Sequence, residues 1–397
     1  MPSVALVTSS FLPRVGGVEE HVRRLAVALR DRGHRVAVWA VDRGDLPATL
    51  PGVAVRYLPA PLPSASPRGV LRFAAVAPAA LRAWREALAA DAPDLLHVQC
   101  FGPNGPWATA LARATGIPLV VGTHGETFAD DGGLFHRSWV QRTALRSALH
   151  RAAGVTTASR FTADDLARFG WRGPTDVVGN GVDLDERAGP RPAWLPHRYV
   201  LGLGRLVPVK GFDLLVRAFA QARTEGTVDE RVHLLLAGDG PERSALRDLA
   251  ASLGVGDVVH LPGALDRPEV TAVAAGARAL VAPSRLEAFG IAALEAMRAG
   301  VPVVVSRSGG AGEVVTDGVD GLVVDPTVPA VSEALARLSD RSLRERLGAA
   351  GRATPAAGHG RRWPTGSSTC TRESSPGRRP ARPRSNEPAA GPRHHPG

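Results

Sequence analysis

The sequence predicts two doubly wound α/β domains that face each other across a cleft. In the first half of the chain, short apolar runs alternate with helix-like stretches, and the same alternation restarts after a proline-rich segment. Most of these runs are apolar on both faces, which is typical of strands buried in a parallel sheet. Open sheets of this kind bind ligands at the carboxyl ends of their strands. We therefore expect a ligand site in the cleft between the two domains.

The first domain is expected to span residues 1–184. It opens with the strand-like run VALVT, a loop, and a helix that Gly33 would end. The apolar face of that helix recurs at helical spacing, at Val18, Val22, Leu25 and Leu29. Further strand-like runs follow in the order HRVAVWA, VAVRYLP, DLLHVQ, PLVVGTH and GVTTAS.

The second domain is expected to span residues 198–350, after an unpatterned, proline-rich linker at 185–197. A helix is expected from about Phe289, and Gly300 followed by Pro302 is a suitable stop for it. The strand-like runs of this domain are YVLGLG, HLLLAG, DVVHLPG, RALVAP, VPVVVS and GLVVDP.

The composition fits two globular domains and a separate basic tail. The 397 residues are 44% hydrophobic and 22% charged, and the formal net charge is +10. Residues 351–397 contain nine Arg and two Glu, so this tail carries +7 of the charge and the rest of the chain only +3. The Pro-, Gly- and Arg-rich tail is expected to be disordered. Its abrupt start is what a shifted reading frame would produce, so a frameshift product is one interpretation. The folded part shows no pattern that indicates nucleic-acid binding.

The sequence also predicts the cellular location of the protein. We expect no secretory leader, because the N-terminus enters a strand-like run almost at once, and no run approaches the roughly 18 apolar residues of a membrane span. The two cysteines, Cys100 and Cys370, suit a reducing compartment, so we expect a cytoplasmic protein. Two basic amphipathic stretches are typical either of helices on an anionic membrane or of helices packed on their own domain, namely VLRFAAVAPAALRAW and HRSWVQRTALRSALHR. Peripheral contact with the inner membrane face therefore stays an alternative.

The loop GLGRLVPVKG follows the first strand of the second domain and carries two cations, Arg205 and Lys210. Two fixed cations beside a helix N-terminus form an anion site that suits a diphosphate. The alternative is a solvated basic turn. A nicotinamide-binding fingerprint fits less well, because Val207 stands where a third glycine is needed.

The stretch RLEAFGIAALEAMRAG places Glu287 ahead of a helix and Glu295 within it. Small residues leave the first backbone amides of this helix open, and those amides favour negative charge. Glu295 is a candidate for hydrogen bonds to a ribose diol, and Glu287 for hydrogen bonds to sugar hydroxyls. The alternative is that both carboxylates are solvated charges on the helix side.

Two loops of the first domain also follow strands. Gly16 and Gly17 precede the first helix, where paired glycines allow a ligand to touch the backbone or simply form a tight turn. His124 lies between Gly122 and Gly125 at the end of a later strand, at the expected cleft. A single histidine is more often structural, but this position favours a place in the site.

Together these segments resemble glycosyltransferase family 4, whose members are retaining enzymes with two Rossmann-like domains in the GT-B architecture. The matching segments are GGVE at 16–19, His124, NGVD at 180–183, GRLVPVKG at 204–211, AGDGPER at 237–243 and EAFG at 287–290 with Glu295. The resemblance extends from residue 1 to about 350. Family members usually end in an aromatic helix that crosses back onto the first domain, and the basic tail departs from that pattern.

The resemblance implies roles for the matching residues. Arg205 and Lys210 would bind the diphosphate of a UDP- or GDP-linked sugar, and Glu295 would bind its ribose. His124 would face the transferred sugar, and Gly17 would contact the donor when the domains close. The sugar and phosphates would also be held by Glu287 and by the backbone of Phe289, Gly290 and Ile291.

The implied reaction moves a sugar to an acceptor hydroxyl with retention of configuration, in glycolipid, polysaccharide or glycoside biosynthesis. It needs no metal and no cofactor beyond the nucleotide-sugar substrate. The segment Asp183-Leu184-Asp185 matches the acidic triplet of metal-dependent transferases, and we interpret that match as coincidence. Two other functions stay open: a nucleotide-sugar epimerase of the same architecture, and a catalytically inactive protein that binds nucleotide sugars.

Overall fold

The computed structural model describes residues 1–14, 16–44, 48–64, 66–129 and 133–357. The strand-like runs of the sequence form two separate sheets, and every strand pair in both sheets is parallel. The expected fold class, two doubly wound α/β domains, is confirmed.

The first sheet has seven strands in the order β3-β2-β1-β4-β5-β6-β7. These strands are β1 (Ser3–Thr8), β2 (Arg35–Val41), β3 (Ala54–Leu58), β4 (Leu95–Gln99), β5 (Leu119–Thr123), β6 (Gly154–Thr157) and β7 (Asp176–Val177). The sequence predicts the first six. It does not predict β7, because two exposed residues at a sheet edge carry no apolar pattern.

Helices cover both faces of this sheet. They are α1 (Gly17–Asp31), α2 (Pro67–Asp91), α3 (Asn104–Thr115), α4 (Glu126–Ala129), α5 (Leu134–Arg137), α6 (Trp139–Arg151) and α7 (Arg160–Asp165), with a 3-10 turn at Leu166–Phe169. One apolar cluster joins the sheet to α1, and a second, larger cluster joins the other face to α2, α3 and α6. Helix α1 buries Val22 and Leu29, as the helical spacing predicts, and also Ala26, while Val18 and Leu25 are partly buried.

The second sheet has six strands in the order β10-β9-β8-β11-β12-β13. These strands are β8 (Tyr199–Leu203), β9 (His233–Ala237), β10 (Val259–Gly263), β11 (Ala279–Ala282), β12 (Val303–Ser306) and β13 (Leu322–Val324). Its helices are α8 (Phe212–Thr224), α9 (Arg243–Ser252), α10 (Arg267–Ala275), α11 (Ile291–Arg298), α12 (Ala311–Val314), α13 (Val328–Arg337) and α14 (Arg341–Ala357). Two short 3-10 turns lie at Pro208–Lys210 and Gly256–Val258. Apolar clusters on both faces of the sheet pack it against these helices.

The strand orders locate the ligand cleft. In the first sheet the order reverses between β1 and β4, and in the second it reverses between β8 and β11. Ligands of open α/β sheets bind outside the carboxyl ends of the strands at such switch points. We therefore expect the loops that follow these four strands to contribute to the site.

Helix α14 corrects the expected start of the basic tail. The composition predicts a disordered tail from residue 351, but the helix continues to Ala357. Arg352 donates a hydrogen bond to the carbonyl oxygen of Ala299, and the Thr354 hydroxyl lies 2.8 Å from Asp320 Oδ2. These contacts fasten the last turns of α14 to the second domain. The remainder of the tail, residues 358–397, lies outside the described residues.

Candidate active site

The cation loop after β8 forms as the sequence predicts. Its 3-10 turn ends at Lys210, and Gly211 follows with a φ of 66°. A Cβ at Gly211 would lie 2.3 Å from the carbonyl oxygen of Pro283, so only glycine allows the loop to approach the segment after β11 this closely. This approach brings Lys210 to Glu287, and Arg205 lies on the exposed side of the same loop.

Lys210 and Glu287 form an ion pair, with 2.6 Å between Nζ and Oε2. The Ser284 hydroxyl lies 3.2 Å from the same carboxylate oxygen. Burial by itself would raise the pKa of Glu287, but the charge and hydrogen bond of Lys210, with Ser284, hold that pKa below its usual value. Glu287 is therefore an ionised carboxylate beside a cation, and it is not a solvated surface charge.

Helix α11 begins two residues later than expected, at Ile291, with Gly290 as its N-cap. Gly290 has a φ of 92°, and a Cβ there would lie 2.9 Å from Ala311 Cβ. A residue in this left-handed conformation is outside the helix, which explains the later start. Phe289 is buried, and the first amides of α11 follow directly after it.

Glu295 lies in α11 and is almost fully buried, at 6% exposure. Its Oε1 lies 2.5 Å from Nη1 of Arg267, the first residue of α10, and the same guanidinium also pairs with Glu186. Arg298 donates to Glu186 as well, at 3.0 Å. The carboxylate that we expect to bind ribose is thus held by an arginine that the sequence analysis did not single out. Nothing in the local pattern DRPEV marks Arg267 as a partner of α11.

The first domain brings its glycine loop to the same place. Gly16 is the N-cap of α1, and Gly17 is its first residue. A Cβ at Gly17 would lie 3.3 Å from Ile291 Cδ1, which belongs to the second domain. The N-termini of α1 and α11 therefore meet across the cleft.

His124 follows β5, and its ring belongs to a group of three histidines. The rings of His21 and His124 lie 4.6 Å apart, and Gln99 links His124 to His97. Burial lowers the pKa of His97 to about 3 and that of His21 to about 4. Burial, followed by the neighbouring His21 and His97, also holds the pKa of His124 well below its usual value. All three rings are therefore neutral at physiological pH.

The two domains also make polar contacts beside His124. The Ser159 hydroxyl, at the N-cap of α7, lies 2.7 Å from the carbonyl oxygen of Ala288. The carboxylate of Glu313 accepts hydrogen bonds from the backbone amides of Arg160 and Phe161, at 3.0 and 2.7 Å. Residue 288 lies between Glu287 and Phe289, so the first domain directly contacts the loop that carries the expected donor-binding residues.

The candidate site therefore collects the expected residues into one cleft. Its carboxylates, cations and helix N-termini suit a charged, hydroxyl-rich ligand. Within the described ranges, no group of three or more His, Cys, Asp or Glu side chains is placed to hold a metal ion. Asp183 Oδ1 instead accepts a hydrogen bond from the backbone amide of Asp185. Residues that the sequence analysis missed are Gln99, His21, His97, Ser159, Arg267 and Glu313.

Comparison with known proteins covers both halves of the chain. Residues 15–186 match the family model described as Glycosyltransferase Family 4, and residues 194–354 match the model described as Glycosyl transferases group 1. Among solved structures, sucrose-phosphate synthase from Thermosynechococcus elongatus superposes with a TM-score of 0.73 at 25% identity, covering 90% of this chain and 94% of that one. HepE from Anabaena in complex with UDP and glucose superposes with a TM-score of 0.72 at 22% identity, covering 90% and 95%.

Characterised relatives extend over nearly the whole chain. One is the GDP-mannose-dependent alpha-(1-6)-phosphatidylinositol monomannoside mannosyltransferase of Mycolicibacterium smegmatis, 33% identical over 375 residues, or 87% of this chain and 92% of the relative. Another is the D-inositol 3-phosphate glycosyltransferase of Frankia alni, 31% identical over 383 residues, or 87% and 91%. The fold is the GT-B architecture, and nucleotide-sugar glycosyl transfer is the shared activity. The chain belongs to glycosyltransferase family 4.

Proposed function

We propose that this glycosyltransferase moves mannose from GDP-mannose to a hydroxyl of an inositol-containing acceptor, with retention of configuration at the anomeric carbon. The observation that carries the site assignment is the Lys210–Glu287 pair, which lies beside the N-terminus of α11, the helix whose Ile291 approaches the glycine loop of α1. The donor and acceptor classes are supported by the mannosyltransferase and the inositol phosphate glycosyltransferase described above. The proteins compared above do not include an epimerase, so nothing favours that alternative.

The cations of the site would stabilise the leaving nucleoside diphosphate. When the bond between sugar and diphosphate breaks, negative charge grows on the diphosphate oxygens. Preorganised cations and helix amides stabilise that charge without reorganising during the reaction. Arg205, Lys210 and the first amides of α11 supply such groups. Glu287 and Glu295 contact the neutral hydroxyls of the sugar and ribose, so they do not face the phosphates.

Turnover of matched variants tests the proposal. Arg205→Met and Lys210→Met are each expected to lower kcat by about 10²–10³-fold, since each removes one positive charge that stabilises the leaving diphosphate. Arg217→Met, an exposed arginine of α8, is the control and is expected to behave as wild type. Because Lys210→Met also leaves Glu287 without its cation, Arg205→Met is the cleaner of the two variants.

The substrate assay uses GDP-mannose and UDP-glucose with phosphatidylinositol, its mannoside or inositol phosphate, and NMR reads the anomeric configuration of the product. Transfer from GDP-mannose with an α-linked product supports the proposal. Inversion, or unchanged turnover in Arg205→Met, would contradict the mechanism. Nucleotide binding without release from any donor would favour the inactive, binding-only alternative.

We further propose that a cytoplasmic enzyme docks on the inner membrane face through the first half of α2. Val70, Leu71 and Val76 are exposed there by 51%, 72% and 42%, beside the exposed Arg68 and Arg72. Exposed apolar side chains next to cations suit an anionic bilayer surface. None of the helices in the described residues, α2 included, combines the length and the apolar composition of a membrane span.

Helix α6, the second amphipathic stretch of the sequence, fits the other alternative. It buries Leu145 and Leu149 in its own domain and exposes Arg142 and Arg146. The apolar face of α6 is therefore already occupied, and we assign the membrane contact to α2 alone.

Sedimentation with vesicles tests the docking proposal. Leu71→Glu is expected to weaken binding to phosphatidylcholine vesicles that contain phosphatidylinositol by about tenfold or more, since a buried leucine contributes about 1.5–3 kcal/mol. Leu253→Glu changes an exposed leucine at the end of α9 and serves as the control. Equal binding of both variants, or binding that does not depend on anionic lipid, would contradict the proposal.

A further inference from the structure

One buried carboxamide lies among the three histidine rings of the first domain. Gln99 ends β4, at the switch point of the sheet, and is only 2% exposed. Its Oε1 lies 2.7 Å from His124 Nε2, and its Nε2 lies 2.9 Å from His97 Nε2. The ring of His21 also forms a hydrogen bond with Gln99 and contacts the ring of His124.

The chemistry of the carboxamide determines where the histidines carry their protons. A carboxamide accepts at its oxygen and donates at its nitrogen, while a neutral imidazole has one N–H and one lone pair. His124 must therefore offer an N–H at Nε2, and His97 must offer a lone pair at Nε2. The two rings carry their protons on opposite nitrogens because both face the same side chain.

We propose that Gln99 is a positioning residue that fixes the ring orientation and the tautomer of His124. In this tautomer Nδ1 of His124 keeps its lone pair, and Nδ1 is buried without a hydrogen-bond partner among the described residues. Nδ1 is therefore the ring atom of His124 that would accept a hydrogen bond from a hydroxyl of the transferred sugar. The inference rests on the proposed function, in which His124 meets that sugar.

A neutral His124 also suits the reaction. Glycosyl transfer passes through a transition state with positive charge on the sugar ring, and an imidazolium beside it would repel that charge. Burial, together with the neighbouring rings of His21 and His97, favours the neutral form of His124, and Gln99 adds no charge. The nearby carboxylate of Glu126 uses its two oxygens for the backbone amides of Phe101 and His124, each at 2.7 Å.

The first test is made on the wild-type protein and needs no activity. Long-range ¹H–¹⁵N NMR of ¹⁵N-histidine-labelled protein distinguishes the two neutral tautomers of each ring. We expect a protonated Nε2 on His124 and a protonated Nδ1 on His97, with both rings neutral at neutral pH. Loss of one signal set in His124→Ala assigns the resonance. The same tautomer on both rings, or a charged His124, would overturn the proposal.

The second test is the pH profile of kcat/KM for Gln99→Glu, which keeps the shape of the side chain. A carboxylate favours the imidazolium and raises the histidine pKa, so activity should fall as the pH drops through the raised pKa and recover as the pH rises above it. We expect a new acidic limb between about pH 5 and 8, with about a tenfold loss per pH unit below that pKa. Wild type should show no such limb from this group.

The matched control is Gln221→Glu, which places a carboxylate on α8, in the second domain. It should keep the wild-type profile. A wild-type profile in folded Gln99→Glu would overturn the proposal, and if that variant does not fold, the tautomers of the wild type decide alone. If wild type transfers no sugar but the tautomers are as expected, the proposed function is wrong. The inference that Gln99 fixes the tautomer of His124 is then still supported.

Discussion

Lys210 and Glu287 lie 77 residues apart in the chain, and their side chains form an ion pair. Each side chain stabilises the other. Burying a carboxylate without a partner costs free energy, and an unpaired lysine side chain is mobile. In the proposed function, the two side chains of the pair would bind different parts of the donor. The ammonium group would bind the diphosphate, and the carboxylate would accept hydrogen bonds from neutral sugar hydroxyls.

The depressed pKa of Glu287 predicts a pH dependence of stability. A carboxylate whose pKa is lower in the folded state contributes stability above its unfolded pKa, and that contribution is lost as the pH falls through the folded pKa. We expect the free energy of unfolding of wild type to fall more steeply below about pH 4.5 than that of Glu287→Gln, by about 1.4 kcal/mol per unit of pKa difference. Denaturant unfolding at each pH measures this.

Glu345→Gln is the control for that experiment. It removes an exposed carboxylate of α14 that pairs with Arg341 on the same helix. Its stability curve should run parallel to that of wild type. If the curve of Glu287→Gln also runs parallel, the Lys210–Glu287 pair does not stabilise the folded protein.

At the scale of elements, the site is made of helix N-termini that are fixed across the cleft. Helix α7 has only six residues, and its first amides bond to Glu313 of the second domain. Its N-cap, Ser159, donates a hydrogen bond to the carbonyl oxygen of Ala288, in the loop between β11 and α11. A short helix thus links the two domains next to the site, and its stability depends on their contact.

Removal of this cap should affect stability and donor binding together. Glu313→Ala is expected to lower the free energy of unfolding by about 1 kcal/mol and to raise KM for the donor, because it removes a cap from α7, the helix whose Ser159 contacts Ala288. Thr327→Ala removes the N-cap of α13, away from the cleft, and should cost stability without changing KM. Melting curves and donor titrations distinguish the two. An unchanged KM in Glu313→Ala would contradict a role for the cap in donor binding.

At the scale of the whole molecule, the domains touch where the glycine loop of α1 meets α11. The space between Gly17 and Ile291 is too small for an added methyl group without movement, since its carbon would lie 3.3 Å from Ile291 Cδ1. In the proposed function, both helix N-termini would contact the same donor. We therefore expect domain closure and donor contact to depend on Gly17.

A paired substitution tests this contact. Gly17→Ala is expected to lower kcat/KM by about tenfold, while stability is kept because alanine favours the helix. Ile291→Val removes the Cδ1 atom, so the double variant Gly17→Ala/Ile291→Val should recover most of the lost activity. Steady-state kinetics of the four proteins form a double-mutant cycle. If the double variant recovers nothing, the alanine methyl obstructs the donor and not the domain contact.

Much of the architecture was predictable from the sequence. Buried parallel strands are apolar on both faces and lie between helices, so HRVAVWA or HLLLAG can be recognised without any tertiary information. Strand β7 and the last turns of α14 were not predicted, because a two-residue edge strand has no pattern and the α14 segment merges into the biased composition of the tail. Local pattern also located Arg205, Lys210, Glu287 and His124, which all follow strands.

The sequence by itself determined the two parallel sheets and the loops in which polar chemistry collects, since both depend on local periodicity and on glycine. Only the tertiary structure decided which side chains are partners. Arg267 holds Glu295, Gln99 holds His124 and Glu313 caps α7, and each pair joins segments that are far apart in the chain. The physical reason is that hydrogen bonds and ion pairs depend on distances of about 3 Å between atoms, and no pattern along the chain encodes those distances.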